Sequence, residues 1–141
     1  MRANSIIYPG LRYGLISGVI LGLFFKWIEY AGIADVYTLL LNVDFIPQLP
    51  QPLPEWFEFS LHLIVSLVIG IMFCVLMSWR RKALMWGLLM GIAPIPLFIP
   101  LTLLSDRTPA IDDFSALTWW IIGHVIYGLS LSLLSLQSRK T

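Results

Sequence analysis

Charge is what this sequence has least of. Only 12% of its 141 residues are charged, against 58% hydrophobic, whereas a water-soluble domain carries about 25% charged residues. There is too little polar surface to coat a globule, so a soluble domain is excluded. Cysteine is almost absent as well. The single Cys74 cannot form an internal disulfide and reads as a small packed residue in an apolar run. The two histidines show no HxxxH or HExxH spacing, which argues against a metal site. No GxSxG, Walker or Rossmann pattern is present, so no cofactor and no enzyme class is indicated. A net charge of +1 offers nothing to nucleic acid.

What the chain has instead is long apolar runs, with a mean hydropathy of +0.84. A spanning helix needs about 20 mostly apolar residues. Four stretches qualify, 12–32, 57–79, 83–104 and 116–137. They predict an all-α four-helix transmembrane bundle forming a single membrane domain over 1–141. Arg2 and Arg12 before the first run, with AGIA from Ala31, resemble a cleavable leader. The run is long enough to span, and it reads as an uncleaved helix.

The charges sort by side. Arg2, Arg12, Arg80, Arg81, Lys82, Arg139 and Lys140 fall on one face if the spans alternate, and all eight acidic residues fall at or toward the other. The positive-inside rule then predicts both termini and the 80–82 turn in the cytoplasm, with 33–56 and 105–115 as outer loops. Trp27, Tyr30, Trp56, Phe57, Trp119 and Trp120 near the outer helix ends, and Tyr13, Trp79 and Trp86 near the inner ends, read as interfacial belts.

The chain reads as if written twice. YGLISGVI from Tyr13 matches WGLLMGIA from Trp86, and HLIVSL from His62 matches HVIYGL from His124. This predicts two parallel-related helical hairpins, N-in and C-in, about an axis along the membrane normal. Gly14, Gly18 and Gly22 form a stripe on the first span, and Gly87 and Gly91 a shorter one on the third. Such stripes let backbones approach closely where the hydrophobic effect supplies no drive. They predict helix packing, within the chain or between copies.

Five ionisable residues lie inside or at the edge of the spans. Lys26 extends the glycine stripe by one step of four, and Glu29 at i+3 reads as its ion-pair partner. Glu58 lies one turn outside His62. His62 heads the stripe Ser66, Gly70, Cys74, and His124 the stripe Gly128, Ser132. At about 1.5 Å per residue, these positions fall in the outer half of the bundle. Lys26, Glu29, Glu58, His62 and His124 are therefore expected to converge on an intramembrane polar pocket, with Asp106 and Arg107 on its rim. The bland alternative is that the charged groups snorkel and the histidines bond to backbone carbonyls.

APIPLFIP from Ala93 contains three prolines, which remove three donors from the third span. It predicts a kink before the exit loop, or alternatively a broken helix lining a cavity. In the first outer loop, Asp35–Ile46 is apolar enough to lie on or dip into the interface. Pro47–Pro54 reads as an extended strap near polyproline II.

GLISGVILG from Gly14, the long first outer loop, RRK at Arg80, Trp86-Gly87, DRT at Asp106 and Tyr127-Gly128 together resemble the YqhR-type group of small bacterial four-helix membrane proteins. The proline-rich strap departs from that group. The resemblance implies a bacterial cytoplasmic membrane and carries no catalytic residue with it.

The function these features suggest is a non-enzymatic accessory, scaffold or sensor subunit. It would act through helix packing and acidic outer loops, with Trp56 and Asp112 as docking residues. Membrane lipid, and a second copy or a larger membrane complex, are the expected partners. The alternative is a small homo-oligomeric transporter or channel in which protonation of histidine is a coupling step. A membrane enzyme is the weakest reading.

Overall fold

The computed structural model describes residues 4–138. Arg2, Arg139 and Lys140 of the basic clusters lie outside them. Every regular element among the described residues is helical: α1 Asn4–Tyr30, α2 Val36–Leu41, α3 Glu55–Trp79, α4 Ala83–Ile92, a 3₁₀ turn Ile95–Leu97, α5 Phe98–Leu103 and α6 Phe114–Gln137. Four units are long and apolar enough to cross a membrane: α1, α3, the run Ala83–Leu103, and α6.

The first helix starts at Asn4 instead of 12. Pro9 lies inside it and removes one donor without ending the helix. Its C-terminus is fixed by Gly32, the one residue described with positive φ, at 69°. Gly32 N–H donates to Glu29 O at 2.9 Å and Ile33 N–H to Ile28 O at 3.2 Å, the pairing of a Schellman motif. The third helix carries Glu55 and Glu58 in its first turn, where carboxylates meet the positive end of the helix dipole. At the start of α6, Asp113 accepts from the Ala116 N–H at 2.9 Å, an N-cap.

The most intimate packing joins sequence neighbours, α1 to α3 and α4 to α6, with α1–α6 next and α3–α4 sparse. Small residues set this order. A Cβ on Gly14 would run into the backbone of Ser66 and Leu67, and one on Gly18 into the Ser66 side chain. A Cβ on Gly87 would strike Gly128 and Ser132, and one on Gly91 the backbone of His124 and Gly128. Gly22 lies under the Phe59 ring. The predicted stripes therefore pack within the chain. The fourth face of the bundle, between α3 and the α4–α5 run, is left open.

The prolines do not break the third span. Ala93, Pro94, Leu97 and Phe98 keep right-handed helical dihedrals, and the chain tightens through the 3₁₀ turn. Neighbours also bond to carbonyls of the run: Trp120 Nε1 donates to Ile95 O at 3.2 Å and Asn42 Nδ2 to Leu101 O at 3.3 Å.

Within the first long loop, Asp35–Ile46 holds α2, whose Val36 and Leu39 are fully buried against the ends of α1, α3, α5 and α6. One expectation for this loop needs correction: Pro47–Pro54 is not a straight strap. It turns at 47–48, bends at 49, 51 and 52, and has a cis Gln51–Pro52 bond.

Candidate functional site

The residues around α2 form a polar cap across one end of the bundle. Lys26 from α1 pairs with Glu55 of α3, not with Glu29. The Tyr37 hydroxyl donates to the same Glu55 oxygen at 2.8 Å, and the Lys26 ammonium sits 5.4 Å from the Tyr37 ring centre. Glu29 is engaged elsewhere. One oxygen accepts from the Thr38 N–H and the other from Thr38 Oγ1, both at 2.7 Å. It thus caps the N-terminal turn of α2, where four backbone donors lack helical partners, and this removes it from Lys26.

Arg107 holds the second half of the cap. Its Nε donates to Asp44 Oδ2 at 3.0 Å and its Nη2 to Asp44 Oδ1 at 2.7 Å, a fork on a carboxylate. Nη2 also donates to Glu58 Oε1 at 3.1 Å. Ser105 Oγ donates to Asp44 as well. The Arg107 guanidinium, bonded to Asp44, holds that carboxyl below its ordinary value of 3.8. Bonding to Asp44 in turn raises Arg107. Burial, then the hydrogen bond to the Glu55 carboxylate, pushes the Tyr37 phenol above its ordinary range.

Two cavities adjoin at Glu58. The first, of about 380 Å³, is lined by Lys26, Glu29, Tyr37, Glu55, Glu58 and Arg107 among others. The second, of about 340 Å³, lies in the open face between α3 and α5 and contains His62 and His124 with Ser66 and Tyr127. Of the predicted pocket, Lys26, Glu29 and Glu58 thus meet in one cavity, with Arg107, while both histidines and Glu58 line the other. Asp106 is exposed and lines neither.

Each histidine is anchored to a carbonyl. His62 Nε2 lies 3.0 Å from Gly18 O and His124 Nδ1 2.8 Å from Trp120 O. The His124 ring also packs 4.3 Å from Trp120 and 5.8 Å from Phe25, centre to centre. Beside them, Ser66 Oγ donates to Gly14 O at 2.7 Å and meets the Tyr127 hydroxyl at 2.9 Å. The serine proton is committed to a carbonyl, so the tyrosine is the donor to Ser66.

Tyr37, Thr38, Asp44, Glu55 and Ser105 were not foreseen in the cap. Their contacts span up to 63 positions, and no local period marks them. Among the described residues, no group of three or more His, Cys, Asp or Glu side chains is placed to hold a metal ion. The acceptor groups of the cap face cationic side chains and backbone donors. No family model, no curated protein and no solved structure matches the chain.

Proposed function

We propose that this chain is a non-enzymatic accessory, scaffold or sensor subunit of a membrane assembly. The observation that carries this reading is the cap. Among the described residues, nearly all structure outside the spans lies at one end, and ion pairs tie it to helices α1 and α3 and to the 105–108 turn. At the other end the described residues outside the spans form a short turn at 80–82. A cap held this firmly is a preorganised recognition surface, and the exposed Trp56 and Phe114 rings stand on it.

The same proposal sets both termini and the basic turn in the cytoplasm and the acidic cap outside, in a bacterial cytoplasmic membrane, as the YqhR-type resemblance implies. Arg12, Arg80, Arg81 and Lys82 lie at the end opposite the cap, in keeping with the positive-inside rule. The two hairpins are read as a parallel repeat. Gly14 against Ser66 and Gly87 against Gly128 are equivalent contacts in the register that aligns His62 with His124, which supports that reading.

The test is native mass spectrometry of the complex released gently from its membrane. The expected result is a partner in fixed stoichiometry, lost on Trp56→Ala or Asp112→Ala with the fold retained. A homo-oligomer with no partner would overturn it. The second reading, a homo-oligomeric transporter, draws on the junction of the two cavities at Glu58. It requires ion or proton flux in liposomes that His124→Ala abolishes.

A further inference from the structure

We infer that the cavity between α3 and α5 binds a lipophilic alcohol, an apolar chain entering sideways from the lipid with its hydroxyl donating to His62 or His124. The inference is independent of whether the chain is an accessory subunit. Three observations carry it.

The first is shape. The cavity of about 340 Å³ falls at the low end of the range for small-molecule sites, about 300–1,000 Å³. Its wall includes Ile64 and Val65, which are 55% and 59% exposed. Both lie mid-helix in an apolar span, so the mouth faces the lipid phase. An occupant arriving there is itself lipid-soluble.

The second is the protonation of the two rings. A backbone carbonyl can only accept, so the histidine nitrogen facing it must carry the proton. His62 is therefore protonated at Nε2 and His124 at Nδ1. A charge is costly in a cavity walled mainly by leucine, isoleucine and valine. The rings are neutral, and a neutral ring has one N–H. The other nitrogen of each, His62 Nδ1 and His124 Nε2, is a lone-pair acceptor with no donor bonded to it among the described residues. His124 is 97% buried, at 3% exposed, so a donor for it has to come from within the cavity.

The third is that the hydroxyl donors of the remaining polar wall are already committed. Tyr127 donates to Ser66 and Ser66 to Gly14 O, and Asn42 Nδ2 gives one of its two N–H groups to Leu101 O. Glu58 is a carboxylate that accepts from Arg107. The two histidine nitrogens are matched only by a donor. Ketones, esters and phosphates would set lone pair against lone pair. An ammonium would bring a second cation to Glu58, the one carboxylate in the wall, which Arg107 already holds. A helix of a partner or of a second copy would match the nitrogens only by bringing a hydroxyl side chain to their depth. A neutral hydroxyl on an apolar chain satisfies both halves of the site.

The test uses the full chain in lipid nanodiscs, labelled with ¹⁵N-histidine, and the two rings give a spectrum simple enough to assign. Addition of 1-tetradecanol should shift an unprotonated ring nitrogen in a saturable way. The methyl ether of the same chain, which cannot donate, should bind about tenfold more weakly, the difference of one net hydrogen bond. Val65→Trp, at the mouth and away from the bonded groups, should abolish the shift while the protonated nitrogens keep their resonances. Equal responses to alcohol and ether, no response to either, or an unaltered response in Val65→Trp would each overturn the assignment. So would a dimer, seen by native mass spectrometry, that Val65→Trp dissociates.

Discussion

The two long seams of the bundle are built differently. Along α1–α6, Gly123 leaves room for the Phe25 ring to lie on the α6 backbone. Phe25 then stacks on Trp120 at 5.5 Å and 16°, and Phe24 meets Trp119 at 6.1 Å. Along α3 and the α4–α5 run there is no such fit. The α3 residues Ile64, Val65 and Val68 are branched and exposed, and the tightened proline segment stands opposite. If the hairpins are the proposed repeat, in the Gly14-on-Gly87 register, its two equivalent seams are one closed and one open. In a membrane, apolarity alone does not draw helices together, and small residues with fitted aromatics decide where they touch.

The strongest way to break this contrast is to spoil the closed seam. Gly123→Leu sets a side chain into the Phe25 ring and should cost about 3 kcal/mol or more of stability, measured by denaturant unfolding in micelles. Val65→Leu on the open side should stay within about 0.5 kcal/mol. Equal costs would mean that the seams are alike.

A gentler comparison is truncation. Leu21→Ala, buried at the closed seam, should cost about 2–4 kcal/mol through the cavity it leaves, whereas Ile64→Ala should cost under about 1 kcal/mol. Next comes the cap, which bridges both seams at one end. Arg107→Ala removes the fork on Asp44 and the bond to Glu58, and about 2 kcal/mol is expected, with the loss confined to the cap in hydrogen exchange.

The smallest effect is a pH dependence. Asp44 titrates lower in the folded protein than its ordinary 3.8 because of Arg107. Its contribution is therefore present above that value and fades as pH falls through the lower folded one. The stability of Asp44→Asn should lack this acid-side loss in a melting series below pH 4. An unchanged slope would show that the pair contributes nothing measurable.

The spans and the glycine stripes were legible because they repeat at helical period. Gly14, Gly18, Gly87 and Gly91 sit at helix contacts. The cap was not legible, for two reasons. The apolar residues of Asp35–Ile46 meet four helix ends distant in sequence, which no local pattern shows. Glu29 stands one turn from Lys26, and the i+3 spacing suggests a pair. The α2 donors compete for that carboxylate, and Lys26 has Glu55 within reach instead. The carbonyl partners of His62 and His124 are invisible to spacing, yet they determine which nitrogen of each ring carries the proton.

The seat of α2 also imposes an order on biosynthesis. Its residues leave the ribosome after the first span, but part of the surface they pack on, α5 and α6, is made last. Until then Val36 and Leu39 have only α1 and α3 to rest against. The nascent chain should hold its cap loosely, and a protease should cut near Thr38 in chains arrested before Phe114 more readily than in finished ones. If both resist equally, the first hairpin alone is enough to dock the cap.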